Sequence, residues 1–159
     1  MGDDARVRVV TERTPPDCYR ITATAEFDSP PEVSWRLLRD WERFVEVAFP
    51  GMTSNFRWLR GTPDEVPSQF QFEIAGIVLK EEIYERTHGD GDYVLRYRAL
   101  EPALGVLEYD AVLRLLTRPD GRTAFEAVRD VRLESGTPPD MLAEMVRSET
   151  QCLVDHFAA

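Results

Sequence analysis

Residues Tyr19-Arg20-Ile21-Thr22-Ala23-Thr24-Ala25-Glu26-Phe27 alternate strictly, and Asp28-Ser29-Pro30-Pro31-Glu32-Val33-Ser34-Trp35 then abandon the alternation. In the first stretch Tyr19, Ile21, Ala23, Ala25 and Phe27 fall on one face and Arg20, Thr22, Thr24 and Glu26 on the other. A period of two with one apolar face marks a half-buried strand. In the second stretch the prolines suit a first helical turn, and Ser29 with Glu32 has the Ser-x-x-Glu spacing of a capping box. Val33, Leu37, Leu38 and Trp41 follow at helical spacing, which predicts a helix from about Pro30 to Arg39. A second short helix, roughly Trp41 to Ala48, stops before Pro50-Gly51.

Upstream, Val7 to Val10 is a short strand-like stretch before a turn at Thr14-Pro15-Pro16-Asp17. Downstream, strands are expected near 53–60, 69–74, 77–87, 92–100, 106–117 and 123–134. Gly61-Thr62-Pro63-Asp64, Gly89-Asp90-Gly91-Asp92 and Pro119-Asp120-Gly121-Arg122 punctuate them as turns. Consecutive strands joined by tight turns make an antiparallel meander. Thr137-Pro138-Pro139-Asp140 opens a final helix that runs to the C-terminus, with Met141, Leu142, Met145, Val146, Cys152, Leu153 and Phe157 in one stripe. The expected fold is therefore α+β. A seven-stranded curved antiparallel sheet wraps around a long C-terminal helix, with two short helices after the first strand. The small residues Ala23, Ala25, Ala99 and Ala111 would leave room for an internal apolar cavity.

The 159 residues suit one domain, 1–159, and 43% hydrophobic residues are enough for a packed core. Lys and Arg number 19 against 29 Asp and Glu, a net charge of −10, which argues against nucleic acid and anionic membranes as partners. No stretch reaches the ~20 apolar residues of a membrane span, and Met1-Gly2-Asp3-Asp4 does not open a signal peptide. Cys18 and Cys152 form no disulfide framework or ligand pattern, so a reduced, cytoplasmic setting is the default. With His88 and His156 alone, a His-rich metal site is excluded, and both read as surface residues. No metal or redox cofactor is called for. The expected partner is a small hydrophobic molecule, and a homodimer stays open.

Three segments carry a resemblance. They are Ala25 to Trp35 followed by Leu38-Arg39-Asp40-Trp41-Glu42-Arg43-Phe44; Leu100-Glu101-Pro102-Ala103-Leu104-Gly105-Val106-Leu107-Glu108-Tyr109; and Gly121-Arg122-Thr123-Ala124-Phe125-Glu126 leading into the last strand and long helix. Together they resemble the Bet v 1/START-related (SRPBCC) superfamily, in particular its bacterial polyketide cyclase/dehydrase-like members. The resemblance implies a helix-grip fold with a hydrophobic cavity between sheet and last helix. It implies a function only broadly, because the superfamily holds lipid, hormone and sterol carriers as well as cyclases, dehydratases and isomerases. No catalytic motif carries over residue by residue.

The candidate chemistry comes from polar residues on apolar faces. Glu149, four residues after Met145 and four before Leu153, either points into the cavity with a raised pKa or pairs with an arginine at the stripe's edge. Arg129 shares parity with Phe125, Ala127, Val131 and Leu133; it needs a carboxylate such as Glu149 or a ligand oxygen, unless a bulge swings it outward. Glu81 has the inward parity of Ile77, Leu79 and Ile83, and by the resemblance is similar to a cavity acid, yet Lys80-Glu81-Glu82 also reads as a solvated charge run. Tyr97 and Tyr109 either orient a ligand carbonyl or are core aromatics with ordinary hydroxyl partners. Trp35, Trp58, Phe72, Leu113, Met141 and Met145 are the expected apolar lining, with Trp41 adding similar surface. The reading is polyketide cyclase/dehydratase-like acid–base chemistry (Glu149, Arg129, Glu81, Tyr109), with a non-catalytic carrier as the alternative.

Overall fold

The computed structural model describes residues 6–14 and 16–158; Met1 to Asp4 and Pro15 of the expected turn lie outside them. Eight strands and three helices follow in the order β1 (Val7–Thr14), β2 (Cys18–Phe27), α1 (Pro31–Arg39), α2 (Trp41–Ala48), β3 (Thr53–Arg60), β4 (Ser68–Ile74), β5 (Ile77–Gly89), β6 (Asp92–Ala99), β7 (Val106–Thr117), β8 (Thr123–Leu133) and α3 (Pro139–His156). The strands form one sheet in the order β1-β2-β8-β7-β6-β5-β4-β3, every pair antiparallel. β3 to β8 are the meander, and β2 returns to pair with β8. The β2–β3 connection must therefore cross from one side of the sheet to its far edge, and α1 and α2 make that crossing. No described helix is long and apolar enough to cross a membrane.

The sheet has eight strands where seven were expected. The stretch read as Val7 to Val10 extends to Thr14 and pairs along its whole length with β2. Only Val7 and Val9 are even half-buried there, so no apolar period exposes the strand in the sequence. Backbone pairing at a sheet edge holds it, a contribution that side-chain patterning does not report. The expected Ser29–Glu32 capping box does not form either. Pro30 occupies the N-cap position, which puts Ser29 one residue too early. Its hydroxyl instead joins Ser34 at 2.7 Å, Ser34 lies 3.2 Å from Thr123, and Thr123 donates to the Ser29 carbonyl, tying the start of α1 to the start of β8.

One face of the sheet is dry. Ile21, Ala23, Phe27, Leu95, Ala111, Leu113, Leu115 and Ala127 are fully enclosed, with Leu38, Val146 and Leu153 packed over them from the helices. The other face carries cross-strand pairs such as Arg20 with Asp130 at 2.8 Å and Arg132 with Glu108 at 3.2 Å. Exposed pairs of this kind are worth at most about 1 kcal/mol each. Asp90 and Gly91, both at positive φ, make the tight β5–β6 turn in the mirror-image geometry that suits twisted strands. A register shift between Ile83 and Glu85 interrupts β5, a bulge whose consequence appears below.

Candidate functional site

A cavity of about 480 Å³ lies between the sheet, α2 and the first half of α3. Its apolar walls include Trp41, Phe44 and Phe49 from the α2 region, Phe72 and Leu79 from β4 and β5, and Met145 from α3. Met52, Ile77, Leu104 and Met141, all at least two-fifths exposed, form its rim. Lys80 and Glu101 face each other at 3.8 Å beside the opening.

The inward rows of the sheet explain the site's position. One row runs Leu95, Leu113, Ala127 and is solid core; the next runs Tyr97, Ala111, Arg129, Ile21. The cavity begins at this second row, where small Ala111 faces a long guanidinium. Arg129 is 1% exposed and donates through Nη2 to Glu149 Oε1 at 2.6 Å and through Nε to the Tyr109 hydroxyl at 2.7 Å. The Tyr109 and Tyr97 hydroxyls are 3.0 Å apart. Four side chains from β6, β7, β8 and α3 thus make one chain of polar contacts, with Tyr97, Tyr109 and Glu149 on the cavity wall. Nη1 of Arg129 is buried without a hydrogen-bond partner among the described residues.

Glu81 adds a second acid. It stands opposite Phe70 and Ala99 in the register, both on the inner face, and the partial surface it retains lines the cavity. The run Lys80-Glu81-Glu82 therefore splits across the sheet. Glu82 points to the outer face, where Arg98 donates to it at 2.7 Å and Gln69 at 2.8 Å.

The electrostatics sort these groups by role. Burial pushes the Glu81 carboxyl up to about 8; the charge of Glu149 adds to the rise and that of Arg129 opposes it. Burial also raises Glu149, but Arg129 opposes that directly with charge and hydrogen bond. Arg129 keeps its proton, its pKa well above the ordinary value because the neighbouring carboxylate and phenols outweigh desolvation. Burial lifts Tyr109 to about 12 and Tyr97 well above its usual value, so both phenols stay protonated. One cation thus faces two carboxyls. Glu149, in direct contact, carries the balancing charge, and Glu81 holds a proton at neutral pH.

The sequence-expected residues divide accordingly. Glu149, Arg129, Tyr109 and Tyr97 come together, Glu81 lies on the same cavity, and Phe72, Met141 and Met145 line it. Three do not. Trp35 packs on Tyr93 at 5.1 Å, Trp58 stands edge-on to Phe70 at 5.6 Å on the edge strand β3, and Leu113 falls one row short in solid core. Of the four alanines, only Ala99 lines the cavity; Ala23, Ala25 and Ala111 are packed over. The α2 wall of Phe44 and Phe49 was missed, although Trp41, Phe44, Val45 and Ala48 recur at helical spacing and are all buried.

No family model and no curated protein matches the chain. Among solved structures, two crystal forms of major latex-like protein 151 from ginseng (Panax ginseng) superpose on it with a TM-score of 0.70. The match covers 91% of this chain and 100% of that one at 16% sequence identity. The likeness shows a shared fold, the Bet v 1-like helix-grip arrangement of sheet and C-terminal helix.

Proposed function

We propose that the protein binds a small hydrophobic, carbonyl-containing molecule and performs polyketide cyclase/dehydratase-like acid–base chemistry on it, in the manner of the bacterial cyclase/dehydrase-like branch its sequence resembles. The observation that carries this reading is the protonation balance of the polar wall. Tyr109 accepts from Arg129 and shares one hydrogen bond with Tyr97, so two phenols have one proton left to donate outward. Protonated Glu81 offers another. With Glu149 committed to Arg129, the wall presents donors in an apolar enclosure, and their complement is a carbonyl oxygen. A carrier needs only one anchoring group; here four charged or phenolic side chains are linked within hydrogen-bond reach.

In dehydration, the ionised fraction of Glu81 takes the proton α to the carbonyl. The phenols, backed by the Arg129 charge, hold the developing oxyanion. Glu81 then returns that proton to the departing β-hydroxyl, which leaves as water, and the carboxylate is regenerated. A group with a pKa about 8 suits both directions of transfer near neutrality. The cavity contributes by holding one reactive conformer of a flexible chain.

Native mass spectrometry of freshly purified protein, followed by denaturing extraction, tests this. The expected result is a protein that is empty or holds a product distinct from the carbonyl compounds it was offered. A retained metabolite recovered unchanged after incubation would support the carrier.

The 101–106 turn is expected to close over the bound molecule. Leu104 and Gly105 are both at positive φ, Leu104 sits at the rim, and a Cβ on Gly105 would come within 3.2 Å of the Thr137 side chain at the entry to α3. Residues 101–108 should exchange amide hydrogens more slowly once ligand is bound. Exchange identical with and without ligand would count against closure.

A further inference from the structure

The β5 bulge has turned a second arginine inward. Up to Ile83 the odd-numbered residues of β5 face the core, and beyond the bulge Arg86 pairs with fully buried Leu95. All three nitrogens of its guanidinium are buried without a hydrogen-bond partner among the described residues. Its charge cannot be shed to solvent, and an unpaired buried guanidinium is among the costliest groups a fold can hold.

Two further orphan polar atoms belong to the same corner. Ser68, the first residue of β4, stands opposite Ile83, the last inward residue before the bulge; it is fully enclosed and its hydroxyl has no partner. Trp41, 1% exposed, begins α2 above Phe70 and Tyr97, which are the inward neighbours of Ser68 and Ile83 along β4 and β6; its indole N–H has no partner either. The exposed loop 61–67 covers the corner and ends at Ser68. The opposite charge felt by Arg86 is that of Asp64 in this loop, but Asp64 is two-thirds exposed and is held by Arg39 from α1 at 2.9 Å. Two arginines therefore share one solvated aspartate, and the corner stays net positive. Indole and guanidinium donate and never accept.

We propose that Arg86, Ser68 and Trp41 form a second site beneath the α1–α2 junction that binds a small oxyanion such as phosphate or a carboxylate. The oxyanion neutralises Arg86 and accepts from the serine hydroxyl and the indole N–H. It is independent of what occupies the main cavity, whose arginine is already paired with Glu149.

The test uses the full chain and inorganic phosphate, with sodium chloride at matched ionic strength as reference. Phosphate at a hundredfold excess over its Kd should raise the melting temperature by on the order of 5 °C beyond chloride. Arg86→Met should remove that rise, and Ser68→Ala should weaken phosphate binding about tenfold. No rise in the wild type, or a rise that survives in Arg86→Met, overturns the proposal. Should Arg86→Met fail to fold, the wild type alone decides by nitrogen-15 NMR of its arginine Nε–H groups. The Arg86 signal should shift on phosphate titration while that of Arg129 stays in place. A shift of Arg129 in its stead would place the ion in the main cavity and overturn the assignment.

Discussion

Arg129→Met is expected to cost about 3–5 kcal/mol of folding stability, because it strands the Glu149 carboxylate without its cation. The pair is almost wholly enclosed, Arg129 at 1% and Glu149 at 7% side-chain exposure, and their 2.6 Å contact is charge-assisted. Neither side chain can turn to water when the other is removed. The sign of the pH dependence follows. Without Arg129, burial alone acts on Glu149, and its folded pKa rises further above the unfolded value. The variant then binds a proton more tightly folded than unfolded, so its stability falls as pH rises above the ordinary carboxylate range, and acid partly restores it. Urea unfolding at pH 5 and pH 8 measures this. The double variant Arg129→Met, Glu149→Gln should recover much of the loss, since it removes both charges. Strict additivity of the two single losses would mean that the ion pair is not a coupled unit.

The parts of this molecule legible in its sequence are those with a period. The β2 alternation, the helical spacing after Pro30 and the turn residues at 89–92 and 119–122 each correspond to an element in place, because one-sided burial imprints itself on side-chain choice. β1 escaped because edge pairing needs no apolar face. Within the site, parity placed Arg129, Tyr97 and Tyr109 on the correct face, for β6, the site half of β7 and β8 run without a bulge. The same device failed for Arg86, where one extra residue reverses the facing of everything after Ile83. Trp35, Trp58 and Leu113 show a different limit. Parity tells inside from outside, but not which row of the interior is filled and which is left open. That depends on where α3 and α2 diverge, a property of packing between distant segments rather than of any one of them.

Glu81→Gln is the substitution that separates proton exchange from mere donation. Glutamine keeps the shape and the donor of a protonated carboxyl but can neither take nor release a proton near pH 8. If Glu81 is the shuttle, turnover should fall by about 10²–10⁴-fold while ligand affinity changes little, since the carbonyl still finds its donors. Stability gives a second readout that needs no substrate. The folded pKa of about 8 lies above the ordinary carboxylate value of 4.5, so the folded state holds the proton more tightly. Glu81 thus contributes stability that is full below about pH 4.5 and lost as pH rises through about 8. The loss is on the order of 3 kcal/mol, below the full value of the shift because the carboxyl keeps some surface on the cavity. Tyr97 and Tyr109 titrate above this window, which leaves the difference between wild type and variant to Glu81. Near pH 4.5 the two proteins should unfold at similar urea concentrations, and at pH 8.5 Glu81→Gln should be the more stable. A wild type and variant that run parallel from pH 4.5 to 8.5 would show that Glu81 is ionised throughout. The carbonyl would then meet a carboxylate where the proposed chemistry requires an acid.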